Sequence, residues 1–399
     1  MASTAVLVGM SLATTVLFVE LLLSVHQTAF AVLYQAAAKM ASGHSPYRVL
    51  SGVRLNEAFV YLPWVALSLV PLTRLNFPVA FHLWVALNGT LAVASAWGMA
   101  KALGWRRPWL LAGSVVVWEV LWRGLLTGQV DGVLLAVESA SVISAARGRY
   151  GLAGLSSVIA ALLKPHLMWI LPVALLWPAW AHGGRTRYLA GASGAALLLL
   201  GGPAVVHPDL LLQWASSLAR FSTSIGSIQP DLAGLPGLLR FAPRSWGLSP
   251  SLADPVTLLM VAGGLVLIGH LLLAEMRASG LAAWGSVEAA AWTASLPLGI
   301  WMLVAPYSHS NDLLVLLPLL AVVVRADFRG AARWDVLGML AAMVVLPELF
   351  LLLDPSHPIG RLSTAGLAVA ALVAVAYRTS PWRGSCSPDQ MPCRAGDGR

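Results

Sequence analysis

The chain runs to 399 residues, of which 58% are hydrophobic and only 11% charged, with a mean hydropathy of +0.77. A soluble domain carries about 25% charged residues, so this chain lacks the polar surface that a water-facing fold of its size needs. Its net charge of +8 is spread as short arginine pairs between apolar runs, with no basic stretch interleaved with aromatics. That pattern fits an integral membrane protein and argues against a nucleic-acid partner.

Taken in chain order, the first apolar run covers 4–25. It has neither a basic n-region nor a small-residue cleavage site, so it is expected to stay as a first helix. Residues 26–57 follow as a polar loop whose Phe30–Lys39 stretch has helical propensity and suits the membrane interface. Further candidate spans are 58–75, 77–100, 108–126, 130–146, 151–165, 167–181, 188–206, 255–274, 284–305, 312–324, 336–353 and 358–377. They predict an all-α polytopic bundle of about eleven to thirteen crossings. Several are shorter than the roughly 20 residues a crossing takes, so broken or tilted helices are expected around Lys164 and Asp312. Residues 58–75 hold Pro63 and Pro71, and a re-entrant or interfacial path is an alternative for them.

The stretch 207–254 contains Asp209, Asp231, Asp254, serines around Phe221 and several prolines, and reads as a large loop with short amphipathic helices. From Thr379 the tail is rich in Pro, Gly and Ser, which predicts a disordered cytoplasmic end to a single membrane domain, 1–378. The only cysteines, Cys386 and Cys393, lie in that tail at a spacing that matches no zinc or redox motif, so no metal site is expected.

Orientation follows from the arginines. Arg106/Arg107, Arg147/Arg149, Arg185/Arg187, Arg277 and Arg325/Arg329/Arg333 fall at alternate connections, which the positive-inside bias assigns to the cytoplasm. The connections between them then face outward. Three polar clusters land on that side: Gly128-Gln129-Val130-Asp131, Lys164-Pro165-His166 and His309-Ser310-Asn311-Asp312. Only the first loop resists the scheme, because two candidate spans separate it from Arg106 where an odd number is needed.

Each cluster has a chemical and a structural reading. Lys164 is one of three lysines, and an ammonium at bilayer depth lines a cavity, meets an anion or snorkels to the interface. Asn311 and Asp312 suit a hydrated pocket or a helix cap. Gly128-Gln129-Val130-Asp131 offers a close-approach glycine, an amide and a base, or simply a polar turn. Glu119, Glu138, Glu288 and Glu348 also interrupt apolar segments, as bundle-stabilising partners or functional acids. Tyr34, Tyr47, Phe59, Tyr61 and Trp64 form an interfacial aromatic belt or a platform for stacking on sugar.

In order, these clusters resemble the motifs of the bacterial family-87 glycosyltransferases, which have the GT-C fold. The resemblance rests on Ala29-Phe30-Ala31-Val32-Leu33-Tyr34, Gly43-His44-Ser45-Pro46-Tyr47, Phe59-Val60-Tyr61-Leu62-Pro63, Gly128-Gln129-Val130-Asp131, Ala153-Gly154, Leu163-Lys164-Pro165 and the run from Pro306 to Asp312. It implies a multi-pass enzyme of the plasma membrane. Such an enzyme moves a hexosyl group, often mannose, from a polyprenyl-phosphate donor to a lipid or glycan acceptor on the outer face, in contact with membrane lipids and without a cofactor. On this reading Asp131 or Asp312 is the catalytic base, and Lys164 with His166 meets the lipid phosphate. Tyr34, Tyr47, Tyr61, Gln129 and His309 complete the substrate contacts.

One departure stands out. The family's first-loop aspartate falls on Ala29, and the only acid in 26–57 is Glu57. A non-catalytic relative is therefore an alternative. So is a lipid or sugar transporter, although no paired internal repeat supports it.

Overall fold

Proline, glycine and the polar clusters set where the helices of this chain begin and end. The computed structural model describes residues 28–47, 59–224, 253–278, 286–305, 308–327 and 369–377, and among them every regular element is helical. The expected spans 4–25 and 336–353, Glu57, Glu348, Pro306, Tyr307 and the tail with Cys386 and Cys393 lie outside the described residues.

Helix α1, Thr28–Ala41, is the helical segment expected between the first apolar run and residue 58. Helix α2, Pro63–Leu69, starts on a proline and passes at once into a 3-10 turn, Val70–Arg74. Seven α-helical and five 3-10 residues extend only about 20 Å, well short of the roughly 30 Å hydrocarbon core. Both ends of this piece stay close to α1 and the loop after it. The Tyr34 hydroxyl donates to Leu75 O at 2.6 Å, and the Tyr47 hydroxyl to Tyr61 O at 2.7 Å. Residues 59–75 are therefore too short in helix for a straight crossing. The first described helix long enough to cross is α3, Phe77–Ala102, which Asn76 caps by accepting from Val79 N at 3.1 Å.

Helices α4, Trp109–Val117, and α5, Glu119–Thr127, form a pair bent by 61° at Trp118. Gly128 ends α5 at a φ of 75°, a left-handed conformation that glycine adopts without steric cost. Helix α6, Asp131–Ala146, is followed by α7, Tyr150–Leu163. That helix stops at Lys164 because Pro165 disfavours helical dihedrals in the residue before it, and Lys164 sits at φ −137°, ψ 74°. A short α8, Pro165–Met168, and α9, Ile170–Ala181, complete this broken helix.

Helix α10, Arg185–Ala196, continues through a π turn, Leu197–Gly201, into α11, Gly202–Val206. Next comes α12, Asp209–Ser224, an amphipathic helix in the large loop where one was expected. It is tied to the segment before α2: Trp214 Nε1 donates to Val60 O at 3.0 Å, Ser217 Oγ to Phe59 O at 3.1 Å, and Ser45 Oγ to Gln213 Oε1. The remaining elements are α13, Ala253–Ala278; α14, Val287–Val304; a 3-10 helix, Ser310–Leu316; α15, Leu317–Asp327; and helical residues 369–377.

Helix α14 is the hub, buried from Ala289 to Met302 and packed against α6, α9, α13 and α15. Peripheral helices expose large aliphatic side chains, among them Leu197, Leu198, Leu258, Leu259 and Val266, on faces that lipid can solvate. Four described helices are long and apolar enough to cross a bilayer, and the bent α4–α5 pair adds a fifth. The expected crossings at 130–146, 151–165 and 167–181 are helices of 16, 14 and 12 residues, shorter than a straight span. At one end of the hub, Arg325 of α15 pairs with Glu288 in the first turn of α14 at 2.7 Å.

Candidate active site

The site begins at the Gly128 turn. A Cβ at Gly128 would lie 2.4 Å from Phe30 Cβ, so α1 rests directly on this backbone. Trp84 Nε1 donates to Gly128 O at 2.9 Å from α3. Four residues along α3, Asn88 donates to Trp84 O at 3.1 Å and accepts from Val133 N at 3.2 Å. At Gly132 the approach is closer still, because a Cβ there would meet Asn88 O at 2.1 Å. These backbone contacts fix the first turn of α6, whose first residue is Asp131. A carboxylate is favourable there, beside unpaired helical N–H groups.

Two further helix breaks supply the rest. Lys164, at the end of α7, sends its Nζ to Asp131 Oδ1 at 3.2 Å and also to Asp312 Oδ1. Asp312 lies in the first turn of the 3-10 helix, where its Oδ2 accepts from His309 N at 2.7 Å while its own N–H donates to His309 O at 3.0 Å. Asn311 Nδ2 donates to Asp131 Oδ2 at 2.7 Å. Relative exposures of 2% for Asp131, 3% for Lys164 and 0% for Asp312 make this a buried ionic triad with a formal charge of −1. Removing such charges from water costs several kcal/mol per ion in order of magnitude, which only pairing and full hydrogen bonding offset.

A second chain of polar groups runs along the rim. The Tyr61 hydroxyl donates to Gln129 Oε1 at 3.3 Å, and Tyr47 supports Tyr61 through its carbonyl. Burial pushes the pKa of the Tyr47 phenol above its usual range, so it remains a neutral donor. Both Gln129 and Tyr61 are half-buried, and so is His166, whose ring lies within electrostatic reach of Lys164, Asp312 and His309. Trp301 Nε1 donates to His166 O at 2.8 Å and meets Trp169 edge-on at 5.1 Å, which steadies the backbone after the break.

The structure thus joins Asp131, Lys164 and Asp312 directly, with His309 and His166 beside them, the half-buried Tyr61 and Gln129 bonded to each other, and the buried Tyr47 behind Tyr61. Tyr34 is placed elsewhere. Its ring packs against Phe77 and Phe30 in the seam between α1 and α3. Sequence reasoning overlooked Asn88, a buried amide in an apolar helix, although the rule applied to intramembrane acids extends to it. It also took Asn311 only as part of a pocket or cap, and so missed it as the donor to Asp131.

Fold and site together define an all-helical polytopic membrane protein with a buried carboxylate–ammonium–carboxylate centre at the broken ends of its helices. The model of glycosyltransferase family 87 matches residues 59–306, and the chain belongs to that family. It is a membrane glycosyltransferase, with a sugar donor and an acceptor as its substrates. The matched stretch contains Tyr61, Gln129, Asp131, Lys164 and His166, while Ala29, Tyr34, Tyr47, His309 and Asp312 fall outside it. No curated protein and no solved structure matches the chain.

Proposed function

We propose that the protein transfers a hexosyl group, with mannose as the first candidate, from a polyprenyl-phosphate donor to a lipid or glycan acceptor at the outer face of the plasma membrane. The observation that carries this reading is the convergence of Asp131 and Asp312 on Lys164, beside the half-buried Gln129 and Tyr61. Outward orientation is supported by the short α2 segment. It leaves α3 as the one crossing between the first loop and Arg106, the odd number that the arginine pattern needs.

In an inverting step the acceptor oxygen attacks the anomeric carbon. The bond from that carbon to the phosphate oxygen breaks, and its electron pair leaves on the prenyl phosphate. The acceptor proton passes to a carboxylate. Asp131 suits this role better than Asp312, because it adjoins the rim residue Gln129 while Asp312 is fully buried against its own helix start. Sequence reading gave Lys164 to the donor phosphate. With two carboxylates already on its ammonium, we assign Lys164 to holding Asp131, and the phosphate and sugar to His166, His309, Gln129 and Tyr61. Tyr47 and Tyr34 then shape the first-loop wall along which the prenyl chain lies.

Membranes supplied with polyprenyl-phosphate mannose, and with other prenyl-phosphate hexoses, test the reading. Transfer is expected in wild type and is expected to fall in Asp131→Asn, Asp312→Asn and Lys164→Ala; full transfer in all three would sink the site assignment. Ala29 favours a second reading, a non-catalytic relative that binds a prenyl lipid. Phe30 lies against Gly128, so residue 29 adjoins the site turn, and a large gain of transfer in Ala29→Asp would mark a degenerate site.

A further inference from the structure

Two carboxylates brought to one buried point either share a proton or keep both charges around a cation, and enzymes that handle phosphates often use a divalent metal ion there. In this chain the position is filled from within. Lys164 Nζ touches an oxygen of each acid, and the outer oxygens are held by Asn311 Nδ2 and His309 N at 2.7 Å each. All four carboxylate oxygens therefore have a donor. The acids belong to elements far apart in sequence, the first turn of α6 and the 3-10 helix before α15, and Lys164 bridges them from the break after α7.

We infer that the Lys164 ammonium is the resident counter-cation of the Asp131–Asp312 pair, seated where a divalent ion would otherwise bind. Its positive charge takes the place of an added metal, and its removal opens a latent metal site. Lys164→Met keeps most of the side-chain volume and deletes the charge. What remains is two carboxylates and the Asn311 amide, which presents its oxygen on rotation: a hard, oxygen-rich set suited to Mn2+ or Mg2+. The ion-pair claim stands whichever sugar is moved, whereas the transfer measurement rests on the proposed function.

The test uses full-length protein in lipid nanodiscs. Mn2+ is titrated and followed by electron paramagnetic resonance and by thermal unfolding. Wild type is expected to bind no Mn2+ at the triad and to unfold at the same temperature with Mn2+ or with EDTA. Lys164→Met is expected to bind one Mn2+ and to gain thermal stability from it, and Lys164→Met/Asp312→Asn to lose both effects. Transfer by wild type is expected to ignore EDTA, and in Lys164→Met to fall by about two orders of magnitude and partly recover with Mn2+.

Folded Lys164→Met without Mn2+ binding overturns the inference. So does wild type whose Mn2+ binding disappears in Asp131→Asn, or whose transfer EDTA abolishes and Mn2+ restores. If Lys164→Met does not fold, the wild-type and Asp131→Asn titrations decide. Wild type that moves no prenyl-linked sugar counts against the proposed function alone, and Mn2+ binding still decides the counter-cation.

Discussion

Asn311 and Asp131 stand 180 residues apart in the chain and meet at 2.7 Å, the amide Nδ2 donating to the carboxylate Oδ2. The bond spans the 3-10 helix and the first turn of α6, so it orients the proposed base from the opposite wall of the site. A hydrogen bond to a charged group contributes about 1.5–3 kcal/mol, or roughly 10- to 100-fold in rate if it acts in the transition state. Asn311→Ala is expected to lower kcat by that amount with little change in KM. Asn311→Asp sets a third carboxylate against Asp131 and is expected to be worse than alanine. Steady-state transfer kinetics would check the order, and equal activity in both variants would contradict it.

The two kinds of ion pair in the fold are expected to behave differently. Glu288 and Arg325 are partly exposed at 37% and 24%, and such pairs contribute about 0–1 kcal/mol. Glu288→Gln is therefore predicted to unfold close to wild type in detergent. Lys164→Met leaves two buried carboxylates uncompensated, a change that costs about 3–5 kcal/mol in comparable sites. Chemical unfolding without divalent ions measures the contrast.

Gly132 is the tightest backbone contact under the site. A methyl group there would sit 2.1 Å from Asn88 O, which cannot swing away as a flexible side chain would. Gly132→Ala is expected to push α3 from α6, lower stability by about 1–3 kcal/mol and reduce transfer. Gly98→Ala, on the same α3 helix with nothing within 4 Å, serves as the control and is expected to be neutral or slightly stabilising.

Tyr47→Phe removes a buried hydroxyl whose acceptor is the Tyr61 carbonyl at 2.7 Å. A single neutral hydrogen bond of about 1 kcal/mol predicts a few-fold change. Because Tyr47 acts through Tyr61 and not on the acids, that change is expected in KM for the donor. A selective fall in kcat with KM unaltered would place Tyr47 nearer the chemistry than its contacts do.

Much of this site was legible because membrane chemistry is sparing with charge. Asp131, Lys164 and Asp312 stood out as ions beside apolar runs, and alternating arginines brought them to one side before any coordinates did. The break at Lys164 followed from Pro165. Pairing was not legible. Nothing in local sequence says that Asn311 reaches Asp131, or that α12 holds Phe59 and Val60 through Ser217 and Trp214, since such bonds depend on which helices pack together. Span lengths were legible as well: the apolar runs 130–146, 151–165 and 167–181 are too short for a straight crossing, and α6, α7 and α9 match them to within three residues at each end. Of the four acids flagged in apolar segments, Glu138 proves buried against Ser295 and Glu288 pairs with Arg325.

Lys164 is also a joint. Its N–H reaches back to Ala160 O at 3.2 Å, while its carbonyl accepts from Leu167 and Met168 at 3.1 and 2.9 Å, so one residue closes α7 and opens α8. The ammonium therefore takes its aim from the angle at which two helical runs meet. Turning α8 and α9 against α7 drags the positive charge relative to both acids at once. Helix alignment and charge balance are thus a single mechanical variable in this bundle.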